Sequence, residues 1–587
     1  MGSSWTIFQR RARRTGWRSA LAAAWQRVVY QPTESSGSYP LCSTSPDRWG
    51  VDAPLVRDGP LLSVIMPVFN TPLQMLAQAI GSVLAQSYSN WELIIVDDLS
   101  SDPRVLEQLR REYLSDRRIE LVVRSSNGNI SEAINSGLAR CRGEFYLVLD
   151  HDDALHSTAL QHCAAVIQSV PEVDYIYSDE DKLSADGLSR FGPFFKPDWS
   201  PEYMLAMMYT CHLSAFRTSM ARVLGGYRSE FDGAQDFEFT LRFVRSARRV
   251  IHIPRLLYHW RAWSGSTAQA LESKPLAEAR ARQAVAEHLA AMGQPFSLKA
   301  HAVPGHHHVE FHPAAQSRVS IVIPTANGTL QQGHIEEKNL DAVLSSIMKE
   351  SSYSNLEIVV VHNGDLAPEQ VSFCLSNRVV LVEYRGVPFN LADKINQGVA
   401  SSSGDYVVLL NDDIRVKSRN WIECMLGFCQ LAGVGAVGPK LLFPDGSIQH
   451  AGVVILSGCP GHAYYGWPGD SMGYALGAGV SRNYIAVTGA CLMTPRRVFD
   501  CVGGFDRRFA LNYNDVDYCL RIRDLGFRSV YAANVELIHF EGVSKDGGRS
   551  VLPGELELFR DIWGDRYPVD PYYNPNLSQT VPYELRT

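Results

Sequence analysis

The stretch Ser63-Val64-Ile65-Met66-Pro67-Val68-Phe69-Asn70 decides the fold, because it returns later in the chain as Ser320-Ile321-Val322-Ile323-Pro324-Thr325-Ala326-Asn327. In both places an apolar run typical of a buried strand reaches a proline, and an asparagine follows shortly after it. A string that recurs with this likeness indicates that one structural unit occurs twice.

Further strings repeat in the same order along the chain. Leu147-Val148-Leu149-Asp150-His151-Asp152 returns as Val408-Leu409-Leu410-Asn411-Asp412-Asp413, Gly225-Gly226-Tyr227 as Gly503-Gly504-Phe505, Gln235-Asp236 as Asn514-Asp515, and His259 as His539. Chance similarity between short strings would not preserve their order. We therefore predict two domains in tandem.

Each copy alternates strands with helices. The predicted strands are Val64–Met66, Leu93–Val96, Ile119–Val123 and Phe145–Leu149 in the first copy, and Val319–Ile323, Leu356–Val361, Val379–Val382 and Tyr406–Leu410 in the second. Ser131 is predicted to cap a helix in the first copy. Continuous apolar strands that alternate with helices predict an α/β, Rossmann-like fold with a mostly parallel sheet in each domain.

The predicted domain plan has four parts. A basic segment occupies residues 1–60, the first domain 61–272, a helical linker 273–317, and the second domain with a C-terminal extension 318–587. Residues 1–30 carry six arginines and no acid, which fits either a helix on an anionic membrane face or a solvated tail. Within the linker, Ala277–Met292 is predicted to be a helix. His306-His307-His308 is predicted to lie in solvated linker rather than in a metal cluster.

Composition excludes several classes of protein. The 587 residues are 45% apolar and 20% charged, with a net charge of -7, which is globular and too nearly balanced for a nucleic-acid partner. The 11 cysteines form no Cys-x-x-Cys pair, which favours a reducing cytoplasm over a disulfide framework. No apolar run is long enough to predict a membrane-spanning helix.

Acidic side chains gather where the predicted strands end. Asp97 and Asp98 follow one strand, and Asp150, Asp152 and Asp153 follow another. Ligands of such sheets bind beyond the carboxyl ends of the strands, and carboxylates there suit Mg²⁺ or Mn²⁺. The alternative is an acidic turn that caps the next helix. No Gly-x-Gly-x-x-Gly follows the first strand, which excludes a dinucleotide oxidoreductase.

Together these strings resemble family-2 glycosyltransferases, which are inverting enzymes of the GT-A fold. Tyr177-Ser178-Asp179-Glu180-Asp181-Lys182 and Lys196-Pro197-Asp198-Trp199-Ser200-Pro201 resemble a branch that builds O-antigen and related surface polysaccharides and includes rhamnosyltransferases. The resemblance extends from about Leu61 to the end of the chain. It implies a nucleotide-sugar donor, a lipid-linked or oligosaccharide acceptor, and a cytoplasmic enzyme that contacts the membrane peripherally.

The resemblance also implies roles for individual residues. Asp236 and Asp515 would be catalytic bases, although a carboxylate at that place could also cap a helix. The nucleotide-sugar contacts would be Pro67, Asn70, Asp97, Asp98, Asp150, Pro324, Asn363 and Asn411. The metal ligands would be Asp152, Asp153, His259, Asp413 and His539. Acceptor contacts are predicted for Trp199, Asp179 and Glu180, with packing as the alternative for the aromatic residue.

The second copy departs from the family pattern at its donor end. His362-Asn363 replaces the usual aspartate after the second strand, and Thr325-Ala326 stands where relatives often carry Arg-Asp. The predicted metal, base and late-histidine positions are nevertheless present, so we expect an active site. Two alternatives stay open: a degenerate copy that binds polysaccharide or acts as a scaffold, and a nucleotidyltransferase. A nucleotidyltransferase should carry a glycine-rich basic loop that neither copy contains.

Overall fold

The computed structural model describes residues 39–40, 56, 58–263, 275–314, 316–332, 335–540 and 554–585. Contacts divide the chain into two units. The first unit contains Met1–Trp199, Met207–His288 and Ala300–His306, and the second contains Ser200–Ala206, Leu289–Lys299 and His307–Thr587. The arginine-rich segment over residues 1–30 lies outside the described residues.

The first unit alternates strands and helices from its start. Its strands are β1 (Tyr39–Pro40), β2 (Leu62–Val68), β3 (Trp91–Asp97), β4 (Ile119–Val123), β5 (Phe145–Val148), β6 (Ala154–Leu155), β7 (Val173–Leu183), β8 (Ser189–Phe194), β9 (Ser214–Arg217) and β10 (Arg249–Arg261). Its helices are α1 (Leu73–Leu84), α2 (Pro103–Glu112), α3 (Asn129–Arg140), α4 (Ala159–Ser169), α6 (Thr218–Val223), α7 (Gln235–Val244) and α8 (Pro275–Met292).

One sheet organises the first unit. Its strand order is β4-β3-β2-β5-β9-β7-β8-β1, with β10 paired to β7 and to β6. The strands β4, β3, β2 and β5 run parallel, as do β7 and β10, whereas β9 is antiparallel to both of its neighbours. Every residue of β2 and β3 is buried, which is why both read as continuous apolar runs.

The second unit repeats this arrangement with additional hairpins. Its strands are β11 (Phe296–Ala300), β12 (His307–Phe311), β13 (Val319–Pro324), β14 (Thr329–Gln332), β15 (Ile335–Lys338), β16 (Leu356–His362), β17 (Val380–Glu383), β18 (Tyr406–Leu410), β19 (Ile414–Val416), β20 (Val434–Leu442), β21 (Ile448–His450), β22 (Val453–Leu456), β23 (Cys459–His462), β24 (Arg482–Tyr484), β25 (Cys491–Pro495) and β26 (Arg528–His539). Its helices are α5 (Pro201–Ala206), α9 (Asn339–Glu350), α10 (Pro368–Ser376), α11 (Leu391–Ala400), α12 (Trp421–Cys429), α13 (Arg496–Cys501), α14 (Asn514–Asp524) and α15 (Glu555–Trp563).

The sheet of the second unit has the same topology as the first. Its order is β17-β16-β13-β18-β25-β20-β26-β19, which matches β4-β3-β2-β5-β9-β7-β10-β6 strand for strand. The predicted α/β class is confirmed, and the antiparallel strands make each sheet mixed. The carboxyl ends of β2, β3 and β5, and of β13, β16 and β18, therefore meet at one edge of their sheet.

Two repeated strings owe their likeness to backbone geometry. Asn70 and Asn327 both have φ of 50°, a left-handed conformation that asparagine tolerates well. Gly226 and Gly504 also have positive φ, at 71° and 73°. A Cβ at Gly226 would meet Asn135 Oδ1 at 2.2 Å, so a side chain has no space there.

Two local predictions are wrong. Helix α3 begins at Asn129 after Gly128, and Ser131 lies inside it. The Ser131 hydroxyl donates to Asp232 Oδ1 at 2.5 Å instead of capping the helix. The histidine segment is not solvated linker, because His306 and His307 are 7% and 1% exposed and because β12, which begins at His307, pairs with β11.

Within the described residues, no helix combines the length and apolar character needed to cross a membrane.

Candidate active site

Two neighbouring aspartates lie at the end of β3 in the first unit. Asp97 is fully buried, and its Oδ2 accepts from the Ser100 amide at 3.1 Å. Its Oδ1 has no hydrogen-bond partner among the residues that the structure describes. Asp98 accepts from the Gly128 amide at 3.1 Å and lies 3.2 Å from Arg124 Nε. A buried acceptor without a donor is costly, so a hydroxyl or N–H group of a ligand fits beside Asp97.

The predicted residues of β2 and its loop shape this end of the site. Pro67 pairs with Val96 across the parallel strands β2 and β3. Asn70 Oδ1 accepts from the Ser101 amide at 2.8 Å, and the Asn70 amide donates to Ser100 Oγ at 3.0 Å. Asn70 therefore holds together the two loops that follow β2 and β3.

The acidic turn after β5 contains carboxylates with different surroundings. Asp153 is 1% exposed, and its two oxygens accept from the Arg261 amide at 2.7 Å and the Tyr258 hydroxyl at 2.6 Å. Both oxygens thus accept hydrogen bonds within the fold, and the role of Asp153 as a metal ligand stays a prediction. Asp152 Oδ2 accepts from Trp263 Nε1 at 2.6 Å. Burial, with the neighbouring charge of Asp152, raises the pKa of Asp150.

The carboxylates Asp150 and Asp152 suit a hard divalent cation, because bringing their charges together is unfavourable until a cation or donors neutralise them. Across the described part of the chain, no group of three or more His, Cys, Asp or Glu side chains is arranged to hold a metal ion. Mg²⁺ usually binds through one or two carboxylates together with substrate phosphates and water. The carboxylates of Asp150 and Asp152 fit that mode of binding.

The two late histidines occupy different places. His259 lies opposite Ala154, two residues after Asp152, whereas His539 lies opposite Ile414, the residue directly after Asp413. Because a shift of one residue turns a side chain to the other face of a strand, the two are not equivalent. By the same register Trp260 is the counterpart of His539.

The partners of these histidines differ accordingly. His539 Nε2 is 3.1 Å from Asp413 Oδ1. His259 Nδ1 is instead 2.6 Å from Asp181 Oδ1, and its Nε2 is 3.5 Å from Arg190 Nη1. The predicted pairing of a histidine with the acidic turn therefore holds in the second unit, while His259 belongs to a buried ion-pair group. Asp181 lies in an acidic string, and nothing in that string indicated its contact with His259.

The predicted bases lie at equivalent positions. Asp236 and Asp515 are each the second residue of their helix, α7 and α14, and both are partly exposed. Neither is the N-cap, which is Ala234 in one helix and Tyr513 in the other. The charge of Asp236 contributes to the raised pKa of Asp150, so the candidate base and the acidic turn face the same site.

Asp515 is fixed by two backbone amides. Its Oδ1 accepts from Val516 at 2.8 Å and its Oδ2 from Gly489 at 2.7 Å. Asp236 Oδ1 accepts from the Phe237 amide at 2.8 Å. Both carboxylates are thus held as acceptors, the state that a base requires.

The donor end of the second site contains a lysine that the sequence reasoning missed. Lys394 of α11 is 1% exposed, and its Nζ donates to Thr325 O at 2.6 Å and to Asn363 Oδ1 at 2.7 Å. Burial lowers the pKa of Lys394 to about 8. Aligning Gly137 with Gly398 places Ala133 of the first copy at this position, a difference that a comparison of the repeats could have found.

The acidic turn of the second site is also held differently. Thr325 Oγ1 donates to Asp412 Oδ2 at 2.6 Å, and burial raises the pKa of Asp412 to about 6. The Asn411 amide donates to Ala490 O at 2.9 Å. Pro324 ends β13 and pairs with Val361. The predicted nucleotide-sugar contacts of the second unit, Pro324, Asn363 and Asn411, thus lie at one edge of its sheet.

The predicted acceptor contacts of the first copy are largely internal. Asp179 is fully buried and accepts from His252 Nε2 at 2.9 Å, and Glu180 is 6% exposed and accepts from Lys196 Nζ at 3.2 Å. Both carboxylates are thus paired in the interior of the fold, and their role as acceptor contacts stays a prediction. Trp199 is partly buried and stacks on Tyr209, with ring centroids 6.3 Å apart, which favours the packing alternative.

The repeated sheet and its paired acidic sites define a family. The family described as Glycosyl transferase family 2 matches residues 63–225 and 320–500, once in each copy. The chain therefore belongs to glycosyltransferase family 2, as its motifs predict.

Several curated proteins are similar to this chain. A Sinorhizobium fredii protein, y4gI, is 37% identical over 537 residues, and the O-antigen biosynthesis protein RfbC of Myxococcus xanthus is 33% identical over 532. Each alignment covers 89% of this chain but only 58% and 40% of those proteins. The putative colanic acid biosynthesis glycosyl transferase WcaA of Escherichia coli is 33% identical over 34% of this chain and 74% of its own length.

Among solved structures, S. aureus TarS 1-349 in complex with UDP-GlcNAc matches 39% of this chain and 71% of its own, at 22% identity and a TM-score of 0.30.

Proposed function

We propose that the chain is a bifunctional, inverting glycosyltransferase that moves sugars from nucleotide-sugar donors to a growing surface polysaccharide. One observation carries the proposal: both sheets have the same strand order, and each places strand-end aspartates near a carboxylate at the second position of a helix. Each unit therefore has the groups for one transfer.

In the proposed reaction, Asp236 or Asp515 accepts the proton of an acceptor hydroxyl. The acceptor oxygen then bonds to the anomeric carbon of the donor sugar while the bond from that carbon to the diphosphate oxygen breaks. A single displacement inverts the anomeric centre and releases a nucleoside diphosphate. Positioning of a general base contributes roughly 10²–10⁴ in rate.

A divalent cation is part of the proposal. Asp150 and Asp152 in the first unit, and Asp412, Asp413 and His539 in the second, would hold Mg²⁺ or Mn²⁺. Such an ion neutralises negative charge on a leaving diphosphate.

The polymer class follows from the relatives, whose names refer to O-antigen and colanic acid biosynthesis. We propose a lipid-linked or oligosaccharide acceptor, with rhamnose among the candidate sugars, and an enzyme on the cytoplasmic face of the membrane. The arginines of residues 1–30 would attract anionic lipid. Flotation with anionic vesicles tests this contact, which is refuted if removing residues 1–30 leaves flotation unchanged.

A second candidate is one active transferase beside a degenerate copy. The replacement of Asp98 by Asn363 and the presence of Lys394 in the second donor end favour it. Under this alternative the second unit binds saccharide without transferring it.

The test is a screen of nucleotide sugars with the full chain, with and without a chelator. Release of nucleoside diphosphate that stops in the chelator supports a cation-dependent transferase. Undiminished release in excess chelator refutes the cation, and release of pyrophosphate instead would indicate a nucleotidyltransferase.

A further inference from the structure

Exposed aromatic side chains cluster on the second unit. Tyr465 and Trp467 are 43% and 42% exposed, and Phe443 is partly exposed. The rings of Phe443 and Tyr465 meet edge to face with centroids 5.3 Å apart. We call these three residues the aromatic ledge. Their rings are large apolar surfaces that water covers unless a ligand binds.

The aromatic ledge is rigidly supported. The Ile448 amide donates to Trp467 O at 2.7 Å, and the Gly466 amide donates to Ile448 O at 2.7 Å. Tyr464 is 1% exposed and meets the Trp467 ring edge-on at 5.4 Å. These contacts fix the backbone of the ledge, so a bound ring meets surfaces that are already in place.

The aromatic ledge begins beside the acidic turn of the second site. Leu442 ends β20 and pairs with Ile538 of β26, so the next residues, Phe443 and His539, are neighbours at the same edge of the sheet. His539 in turn is 3.1 Å from Asp413.

A chain of polar contacts joins the ledge to the candidate base. The Gly489 amide donates to Asp515, and the preceding Thr488 amide lies 3.5 Å from His450 Nε2. His450 Nδ1 lies 2.9 Å from His462 Nδ1. The His462 ring stacks on Tyr465 with centroids 6.2 Å apart. A continuous path of polar and ring contacts therefore runs from the aromatic ledge to Asp515, the proposed base.

Backbone amides determine which ring nitrogen of His450 carries the proton. The Gly452 and Thr488 amides both point to His450 Nε2, at 3.3 and 3.5 Å, so this atom is an acceptor. The proton of neutral His450 is then on Nδ1 and is donated to His462 Nδ1. Burial holds the pKa of His450 well below its usual range, and the neighbouring His462 ring stacks on Tyr465.

We infer that the aromatic ledge binds the acceptor saccharide of the second site, with one hexose ring stacked by its C–H face on Tyr465 and another on Trp467. This inference rests on the proposed function. Aromatic rings suit flat apolar sugar faces, while the polar edge of each sugar remains in water or meets hydrogen-bonding groups. The proposed donor contacts Asn363 and Lys394 lie directly after β16 and on α11, on elements other than those that carry the aromatic ledge.

The test is saturation-transfer NMR of the full chain with methyl α-D-mannopyranoside, methyl β-D-glucopyranoside and methyl α-L-rhamnopyranoside. The double variant Tyr465→Ala/Trp467→Ala should lower the transfer to sugar C–H protons about tenfold. Tyr465→Phe/Trp467→Phe should restore it, because the ring faces return. Phe373→Ala is the matched control, since Phe373 is 42% exposed on α10 of the same unit.

A wild-type chain that gives no transfer to any of the three sugars overturns the inference, as does an equal loss in Phe373→Ala. Loss without rescue by phenylalanine also overturns it, because a purely structural defect would then explain the result. Release of nucleoside diphosphate with nucleotide sugar and acceptor saccharide together is measured in parallel and should be unchanged in the control Phe373→Ala. If the wild type releases none, the transferase proposal fails even where sugar binding persists.

Discussion

The donor ends of the two sites are built on the same strands but carry different charges. In the first, Asp98 lies 3.2 Å from Arg124 and accepts from a backbone amide, and Asp97 is buried beside it. In the second, His362 and Asn363 replace the aspartates, and Asn363 accepts from a buried lysine, Lys394. The acidic turns differ too, because His539 reaches Asp413 whereas His259 is turned away to Asp181.

This comparison teaches that the proposed bases keep their positions in both units, while the residues proposed to contact the nucleotide differ. Asp236 and Asp515 keep the same helix position. A base that takes a proton from an acceptor needs the same group in both sites, whereas a contact to a nucleotide changes with the donor. We therefore expect two activities with different donors.

The largest effect should come from removing each base. Asp236→Asn and Asp515→Asn keep the side-chain shape but cannot accept a proton as a carboxylate does, so each should lower one transfer by roughly 10²–10⁴. Mass spectrometry and NMR of the products should show two different truncated saccharides. Asp500→Asn, an exposed aspartate of α13, is the control. A wild-type product at the wild-type rate from Asp515→Asn would establish the degenerate-copy alternative.

The next largest effect should be a difference between His539 and His259 in how their loss changes the Mn²⁺ requirement. His539→Ala, tested in the Asp236→Asn background, should raise the Mn²⁺ concentration for half-maximal activity roughly 10–100-fold, as loss of a metal-site group commonly does. His259→Ala, in the Asp515→Asn background, should change this concentration much less, because its ring contacts Asp181 and Arg190. Titration of Mn²⁺ against nucleoside diphosphate release measures both. Equal shifts would show that the register difference has no functional meaning.

Acid stability should distinguish the two units. Asp174 is 2% exposed and bound by Arg217 and Arg248 at 2.7 and 2.6 Å, and its pKa is lowered to about 2. Its counterpart in the second sheet is Gly435. A lowered carboxyl pKa stabilises the fold above its unfolded value of 3.8, and this contribution, about 2 kcal/mol, is lost as the pH falls toward 2.

Asp174→Asn should therefore destabilise the first unit by about 2 kcal/mol at pH 7. Calorimetry at pH 7, 4, 3 and 2 should show the difference from wild type shrinking across the acid range. A difference that stays constant down to pH 2 would assign the effect to packing instead of charge.

The smallest effect should come from Lys394→Met, a few-fold to tenfold rise in the donor KM of the second site, or about 1 kcal/mol. Burial lowers the pKa of Lys394 to about 8. The wild-type donor KM should therefore rise above that pH as the charge is lost, and the variant should show no such rise. Lys349→Met, on the exposed end of α9, is the control. Identical pH profiles for Lys394→Met and wild type would exclude a charge contact with the donor.

Sequence reasoning reached the strands and the bases because both have local signals. Apolar runs predict β2, β3, β13 and β16 since each is buried on both faces. Asp236 and Asp515 stand out because the strings around them recur. The same reasoning did not reveal that His259 contacts Asp181, because the bulges that set the register between β7 and β10 leave no mark in the residue pattern.

Burial of polar side chains was the other feature that could not be predicted from the sequence. Asp179 and Glu180 look like surface acids, and only the fold brings His252 and Lys196 to them from distant segments. Lys394 was missed for the same reason, since a lysine on an amphipathic helix is normally solvated. Its acceptors, Thr325 and Asn363, come from the ends of two strands.

The chain segments that form the second unit limit where the protein can be cut into separate fragments. Helix α5 belongs to that unit although it precedes the second repeat in the chain. Its Glu202 is 4% exposed and binds Arg528 at 2.6 Å, and Ser200 Oγ donates to Asn483 Oδ1 at 2.8 Å. A fragment that starts at the second repeat would leave Arg528 without its carboxylate, a loss of roughly 3–5 kcal/mol for a buried pair. Point variants of the intact chain, and not excised halves, are therefore the way to assign each activity to its site.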